Sequence, residues 1–230
     1  MISLLKAHPF FKEKNIESCT LLENQGYCNE NYLVVADNQK YIVRNFLRDE
    51  IDRTLEWHVL ELAHTQGITA EPLVYDAEHE LMVFSFLEGE HKEILQEDDI
   101  KALANVVKKL HSIPLDKQPI EIKLQDKTDE VLDAFEIIKQ FPKEYVLCHN
   151  DLNPKNIFFS YDVKFIDFEY AGVNDRYFDL ACVCVEFELD NEMQKKLLDT
   201  YFIATYRLKK LEAYKVIYKA LVEEWFRNML

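Results

Sequence analysis

Near residue 89 the spacing of apolar side chains changes from that of strands to that of helices, a switch that two differently built halves accommodate. Upstream, Tyr32 to Ala36 and Lys40 to Phe46 are β-rich runs on either side of a turn at Asp37-Asn38-Gln39. A third, Leu81 to Leu87, follows the polar break at Asp76 to His79. These runs predict an antiparallel sheet. One helix interrupts it, because Ile51, Leu55, Val59, Leu62 and Ala63 share a face and the pattern stops at Gly67, a suitable C-terminal cap. Downstream, Ile100, Leu103, Ala104, Val107 and Leu110 form a helical stripe with Asp98 as its expected cap, and Val131, Leu132, Phe135 and Ile138 form a weaker one. Two further helices are expected, from Met193, Leu197, Leu198, Tyr201, Phe202 and Thr205 and from Leu211, Tyr214, Tyr218, Leu221, Val222 and Trp225. Within this helical half, Ile157-Phe158-Phe159 and Val163 to Ile166 surround Ser160-Tyr161-Asp162 as a small hairpin. The expected class is α+β, with a small β-rich lobe over residues 1–88 and a larger, mostly helical lobe over 89–230.

Composition narrows the possible functions. With 48% hydrophobic residues and only 4 Gly and 6 Pro, the 230-residue chain is expected to be globular rather than disordered or linker-rich. Forty-two acidic against twenty-seven basic side chains give a formal charge of -15, which disfavours nucleic acid as a partner and favours small cations. The same field repels free nucleotide, so an ATP site needs local correction by Mg2+ or a few well-placed cations. The five cysteines form no CxxC pair, and the chain has neither a signal-peptide pattern at its start nor an apolar run near the about 20 residues of a membrane span. Reduced thiols, a cytoplasmic location and no membrane partner are the corresponding expectations.

The chemistry concentrates around the hairpin. Val146-Leu147-Cys148-His149-Asn150-Asp151-Leu152-Asn153-Pro154-Lys155-Asn156 runs from an apolar stretch through a polar loop into the first hairpin strand, and Asp167 follows in Phe165-Ile166-Asp167-Phe168-Glu169-Tyr170. A hairpin returns its ends to neighbouring positions, so Asn156 and Asp167, expected at the end of the second strand, can offer oxygen ligands to one cation while Asp151 lies in the preceding loop. Hard Mg2+ favours such ligands together with phosphate, a layout suited to phosphoryl transfer.

At these residues the sequence resembles kinases of the protein-kinase-like fold, whose catalytic loop reads H-x-D-x-x-x-x-N with a later metal-binding Asp; His149, Asp151, Asn156 and Asp167 match. It most resembles the choline and ethanolamine kinase family, related to the aminoglycoside phosphotransferases, in His149-Asn150-Asp151, in Ile166 to Tyr170 and in Arg176-Tyr177-Phe178-Asp179. The resemblance implies a two-lobed fold that uses ATP and Mg2+. It makes Asp151 the base at the substrate hydroxyl, Asn156 and Asp167 the metal ligands, Asn153 a residue near the transferred phosphate and Asp179 a buried brace of the loop. His149 is expected to be structural. In the first lobe, Gly26 to Tyr32, with Asn29 and Asn31, resembles the phosphate loop. Arg44 resembles the residue that contacts the α and β phosphates, Glu56 its charge partner, and Phe84 to Gly89, with Phe86, the hinge that meets adenine.

The implied substrate is choline or ethanolamine, a small cationic alcohol, which aromatic faces and carboxylates can capture. Asp151, Tyr170, Glu186 and Trp225 fall at the corresponding positions, with Val222 where the family has a first tryptophan. Each has a structural alternative: aromatic residues at helical spacing often fill cores, and Glu186, in the apolar stretch Ala181 to Phe187, can belong to an ion pair. The competing readings are a kinase of another small alcohol (an aminoglycoside, thiamine or an amino sugar) and a nucleotide-binding module without turnover.

Overall fold

In the computed structural model, which describes residues 1–23, 28–48 and 50–229, the chain forms two compact units, Met1–Glu88 and Gly89–Leu230. The first is built on a five-stranded antiparallel sheet of β1 (Ile16–Leu21), β2 (Asn29–Ala36), β3 (Gln39–Phe46), β4 (Pro72–Asp76) and β5 (Leu81–Ser85), in the order β1-β2-β3-β5-β4. The turn between β2 and β3 is two residues long: Asp37 and Asn38 both take positive φ, 51° and 59°, as a tight hairpin of this hand requires, and Gln39 already pairs with Ala36 as the first residue of β3. Helix α1 (Ile2–Ala7) adds Leu5, and the turn after it adds Phe11, to a core of Val34, Ala36, Tyr41, Val43, Leu81 and Val83. Helix α2 (Arg53–Thr65) is capped by Asp52, whose side chain accepts a bond from Leu55 N (2.9 Å), and ends two residues before Gly67, at φ 67°.

The second unit starts at Gly89 (φ 152°), where a Cβ would come within 2.9 Å of the Phe159 carbonyl. Only glycine allows this approach. Beside it, Glu90 and Phe159 exchange both main-chain hydrogen bonds, which ties the start of the unit to the hairpin β7 (Ile157–Phe159)–β8 (Val163–Phe165). Around the hairpin lie α3 (Glu97–Leu110), α4 (Asp129–Lys139), β6 (Tyr145–Cys148) paired with β9 (Gly172–Asp175), α5 (Arg176–Glu186), α6 (Asn191–Tyr201) and α7 (Leu208–Met229). Helix α5 packs on α7, α3 on α6 and α4 on α7. The buried Lys210 of α7 pairs with the buried Asp175 of β9 at 2.7 Å, which fixes the start of the long helix against the small sheet.

Several local expectations are corrected. Strand β5 ends at Ser85 rather than Leu87, and β8 at Phe165, so Asp167 lies two residues past the strand. Helix α3 is capped at Gln96, whose N–H donates to Asp99, and not at Asp98. Leu132 faces solvent while Ala134 fills its place in the core, and Phe202 and Thr205 lie beyond the end of α6. The five cysteines are free thiols, and among the described residues no helix is long and apolar enough to cross a membrane.

Candidate active site

Strand β6 delivers the chain into a loop whose shape is set by buried hydrogen bonds. His149 donates from Nε2 to the Ile166 carbonyl (2.9 Å) and is fully buried, so it serves as a structural link between the loop and the segment after β8. Asp179 of α5, also fully buried, accepts the main-chain N–H of His149 on one oxygen and that of Asn150 on the other, each at 2.8 Å. His111 Nε2 adds a bond to Asp179 at 3.0 Å, while its Nδ1 meets the Tyr201 hydroxyl at 2.6 Å. Because the carboxylate only accepts, the Nε2 carries the proton and Nδ1 accepts from the tyrosine. His111, Cys148 and Asp179 come within mutual metal-binding reach, but the oxygens of Asp179 are taken by these donors, and the group reads as a brace.

Asn150 takes φ 67°, a left-handed conformation that asparagine tolerates better than most residues. Its side chain is held at both ends: Nδ2 donates to the Tyr170 carbonyl and Oδ1 accepts from Asn174 Nδ2, each at 2.9 Å. This turn presents Asp151. One Asp151 oxygen accepts from Asn153 Nδ2 (2.9 Å), and the other from Asn156 Nδ2 (2.8 Å), which also bonds the Asp151 carbonyl (2.9 Å). Asn153 caps the short 3-10 turn Pro154–Asn156 by accepting from Lys155 N. Burial pushes the Asp151 carboxyl above its ordinary range and the charge of Asp167 adds to that, while His149 and the two amides pull the other way. Asp167, at φ 63°, follows Ile166, whose N–H bonds the Asn156 carbonyl (2.9 Å). Asp151, Asn153, Asn156 and Asp167 therefore belong to one neighbourhood.

The donor set suits a hard divalent cation. Two carboxylates close enough to feel each other's charge share the neighbourhood, and because Asn156 donates through Nδ2, its amide oxygen is left to accept.

Glu186, the last residue of α5, is half-buried and accepts from the Tyr218 hydroxyl of α7 (2.8 Å), so its hydrogen-bond partner is a phenol and not the cation that an ion pair requires. Burial raises its carboxyl, the charge of Asp151 raises it further, and the tyrosine bond opposes both. Glu186 thus stands in the same acidic region as Asp151. Tyr170 is joined to the loop through its main chain, and the residue is 39% exposed. Trp225 lies half-buried on α7 with its ring 5.1 Å from that of Phe226, about two turns beyond Tyr218 on the same face.

In the first unit, Arg44 of β3 donates to Glu56 of α2 at 2.7 Å and to Asn31 at 3.3 Å. Arg53 donates to the second Glu56 oxygen at 2.7 Å and to Asn29 at 2.8 Å. Glu56 is 1% exposed and held by two guanidinium groups. Arg53 escaped the sequence reading because an arginine in a first helical turn looks like a surface residue; its spacing of three from Glu56 was the available signal. Phe86 follows β5 with the Lys40 ammonium 4.7 Å from its ring centre. Gly26 and Tyr27 of the expected phosphate loop lie outside the described residues.

Comparison with known proteins agrees with this picture. The family model for Choline/ethanolamine kinase matches residues 51–222. Protein LicA of Haemophilus influenzae is 26% identical over 232 residues, covering 88% of this chain and 86% of its own. The crystal structure of choline kinase LicA from Streptococcus pneumoniae superposes with a TM-score of 0.83 at 21% identity, covering 98% of this chain and 89% of that one. A spectinomycin phosphotransferase solved with ADP and its antibiotic has a TM-score of 0.73 at 14% identity, over 96% of this chain and 85% of that one. The fold is α+β and protein-kinase-like, and the chain belongs to the choline/ethanolamine kinase family.

Proposed function

We propose that this chain transfers the γ-phosphoryl group of ATP to the hydroxyl of choline, with ethanolamine as the second substrate to test. As a member of its family the chain is a kinase, an ATP-dependent phosphotransferase acting on a small amino alcohol. The observation that carries the finer reading is the pair Asp151 and Glu186: two half-buried carboxylates in one electrostatic neighbourhood, one dressed by amides and one by a phenol. An amino alcohol needs two such groups a few bonds apart, one to take the hydroxyl proton and one to face the cation.

Asp151 is assigned as the base. Its carboxylate, oriented by Asn153 and Asn156, accepts the hydroxyl proton as the alcohol oxygen bonds to the γ-phosphorus and the bond to ADP breaks. Asn153 is placed beside the transferred group. Asn156 and Asp167 are the residues we assign to Mg2+, which when bound neutralises phosphate charge. Residues 1–88 are assigned to nucleotide binding: Arg44, fixed by Glu56, contacts the α and β phosphates, Asn29 and Asn31 belong to the phosphate loop, and Phe86 lies beside the base. Residues 89–230 carry catalysis, and Tyr170, Glu186 and Trp225 form the substrate wall. A cytoplasmic site of action completes the reading.

The test is ADP release with choline, ethanolamine, thiamine, spectinomycin and a hexosamine offered separately. Choline is expected to give the highest kcat/KM; a preference for the antibiotic, thiamine or the sugar would replace the substrate reading. Chelation with EDTA should abolish turnover and added Mg2+ should restore it. Asp167→Ala should raise the Mg2+ concentration needed for half activity by about tenfold or more.

A further inference from the structure

Resting on the choline reading above, we propose that Tyr218 is a positioning residue for substrate binding, whose hydroxyl holds the Glu186 carboxylate in the orientation that receives the substrate's cationic head.

Tyr218 sits in the middle of α7 and is 3% exposed. Its ring packs edge-on against Phe178 of α5, with centroids 5.7 Å apart at 80°. A ring held this way cannot swing its hydroxyl elsewhere, and that hydroxyl lies 2.8 Å from Glu186 Oε1. The direction of the bond follows from chemistry. A carboxylate only accepts, so the phenol donates to it, and the Cys182 thiol, one turn earlier on α5, neighbours the same hydroxyl. Burial and the neighbouring Cys182 and Glu186 push the Tyr218 hydroxyl above its ordinary range, so it keeps its proton and stays a donor at neutral pH.

Glu186 needs such a donor. It is a half-buried carboxylate at the end of an apolar helix, and the groups around it otherwise disfavour its charge: burial first, then the charge of Asp151. Tyr218 is the group that opposes both. The titratable groups facing Glu186 are Asp151 from the loop after β6 and Tyr218 from α7, with Cys182 on its own helix beyond the phenol. Without the hydroxyl, the carboxylate would lose its fixed partner and hold a proton to higher pH. The effect should fall on the cationic substrate and leave the nucleotide alone.

The experiment compares wild type, Tyr218→Phe, Glu186→Gln and the double variant in ADP release, with thermal melts to confirm folding. Tyr218→Phe keeps the ring and is expected to raise the choline KM about fivefold, a size in keeping with the net worth of one ordinary hydrogen bond. The KM for ATP and the kcat at saturating choline should stay at wild-type values, and the acid limb of kcat/KM for choline should move to higher pH. On the Glu186→Gln background the same change should add nothing, since the pair acts as one unit. Glu186→Asp, which withdraws the carboxylate by about 1.5 Å, one C–C bond, should reproduce the raised choline KM and serves if Tyr218→Phe fails to fold. A folded Tyr218→Phe with unchanged choline KM and acid limb, an undiminished effect on the Glu186→Gln background, or a Glu186→Asp enzyme with wild-type kinetics would each overturn the assignment. A wild-type chain that releases no ADP with choline would defeat the substrate reading and this inference with it. Choline turnover by wild type together with an inert Tyr218→Phe would defeat the inference alone.

Discussion

Glu56 in the first unit and Asp151 in the second are both removed from bulk water and both held by two side chains, yet their partners differ in kind. Glu56 is answered by two arginines, so its charge is balanced within the unit. Asp151 is answered by two neutral amides, which orient the carboxylate without cancelling it. Charge compensated internally makes a rigid fixture; charge left uncompensated makes a receptor for a proton or cation from outside. On the proposed reading, an acidic chain of formal charge -15 thereby fixes the arginine assigned to phosphate and saves its acidity for the alcohol.

Removing charge on each side tests this contrast. Asp151→Asn should have the largest effect, a fall in kcat of about a thousandfold or about 4 kcal/mol, with the KM for ATP within about twofold of wild type. Equal losses in both parameters would make Asp151 a fixture like Glu56. Glu56→Gln leaves two buried arginines facing an amide and should destabilise the protein by about 3 kcal/mol in urea unfolding while weakening ATP binding. Glu186→Gln should raise the choline KM about tenfold and spare that of ATP. The wild-type choline KM should itself rise as pH falls through the Glu186 titration, which begins above the usual carboxylate range because the group's pKa is raised; in Glu186→Gln that limb should vanish. Smallest is Asp52→Ala, which removes the cap of α2 for about 1 kcal/mol of stability and should leave both Michaelis constants unchanged.

What could be read from the sequence divides along the same lines. The catalytic loop and hairpin were legible because their logic is local: Asp151, Asn153 and Asn156 lie within six residues, and a short hairpin brings Asp167 back beside them. The pairing of β6 with β9 was not, since Leu147 meets Val173 across a long stretch of chain with no turn signal. Strand β1 was missed because Ile16-Glu17-Ser18-Cys19-Thr20-Leu21 is a largely exposed edge whose register shifts against β2 between Ile16 and Ser18, which blurs any alternation. Tyr218 read as one more aromatic on a core stripe; only the fold shows its hydroxyl reaching Glu186. Glu186 itself stood out as a carboxylate in an apolar run, and the nature of its partner had to come from three dimensions.

The left-handed backbone at Asn150 has an evolutionary corollary. A residue there must accept positive φ, bridge the Tyr170 carbonyl and Asn174, and release its own N–H to Asp179. Asparagine meets all three demands and glycine only the first and last, so the alphabet open to mutation immediately ahead of Asp151 shrinks to two letters, and the second of them trades grip on the tyrosine segment for slack.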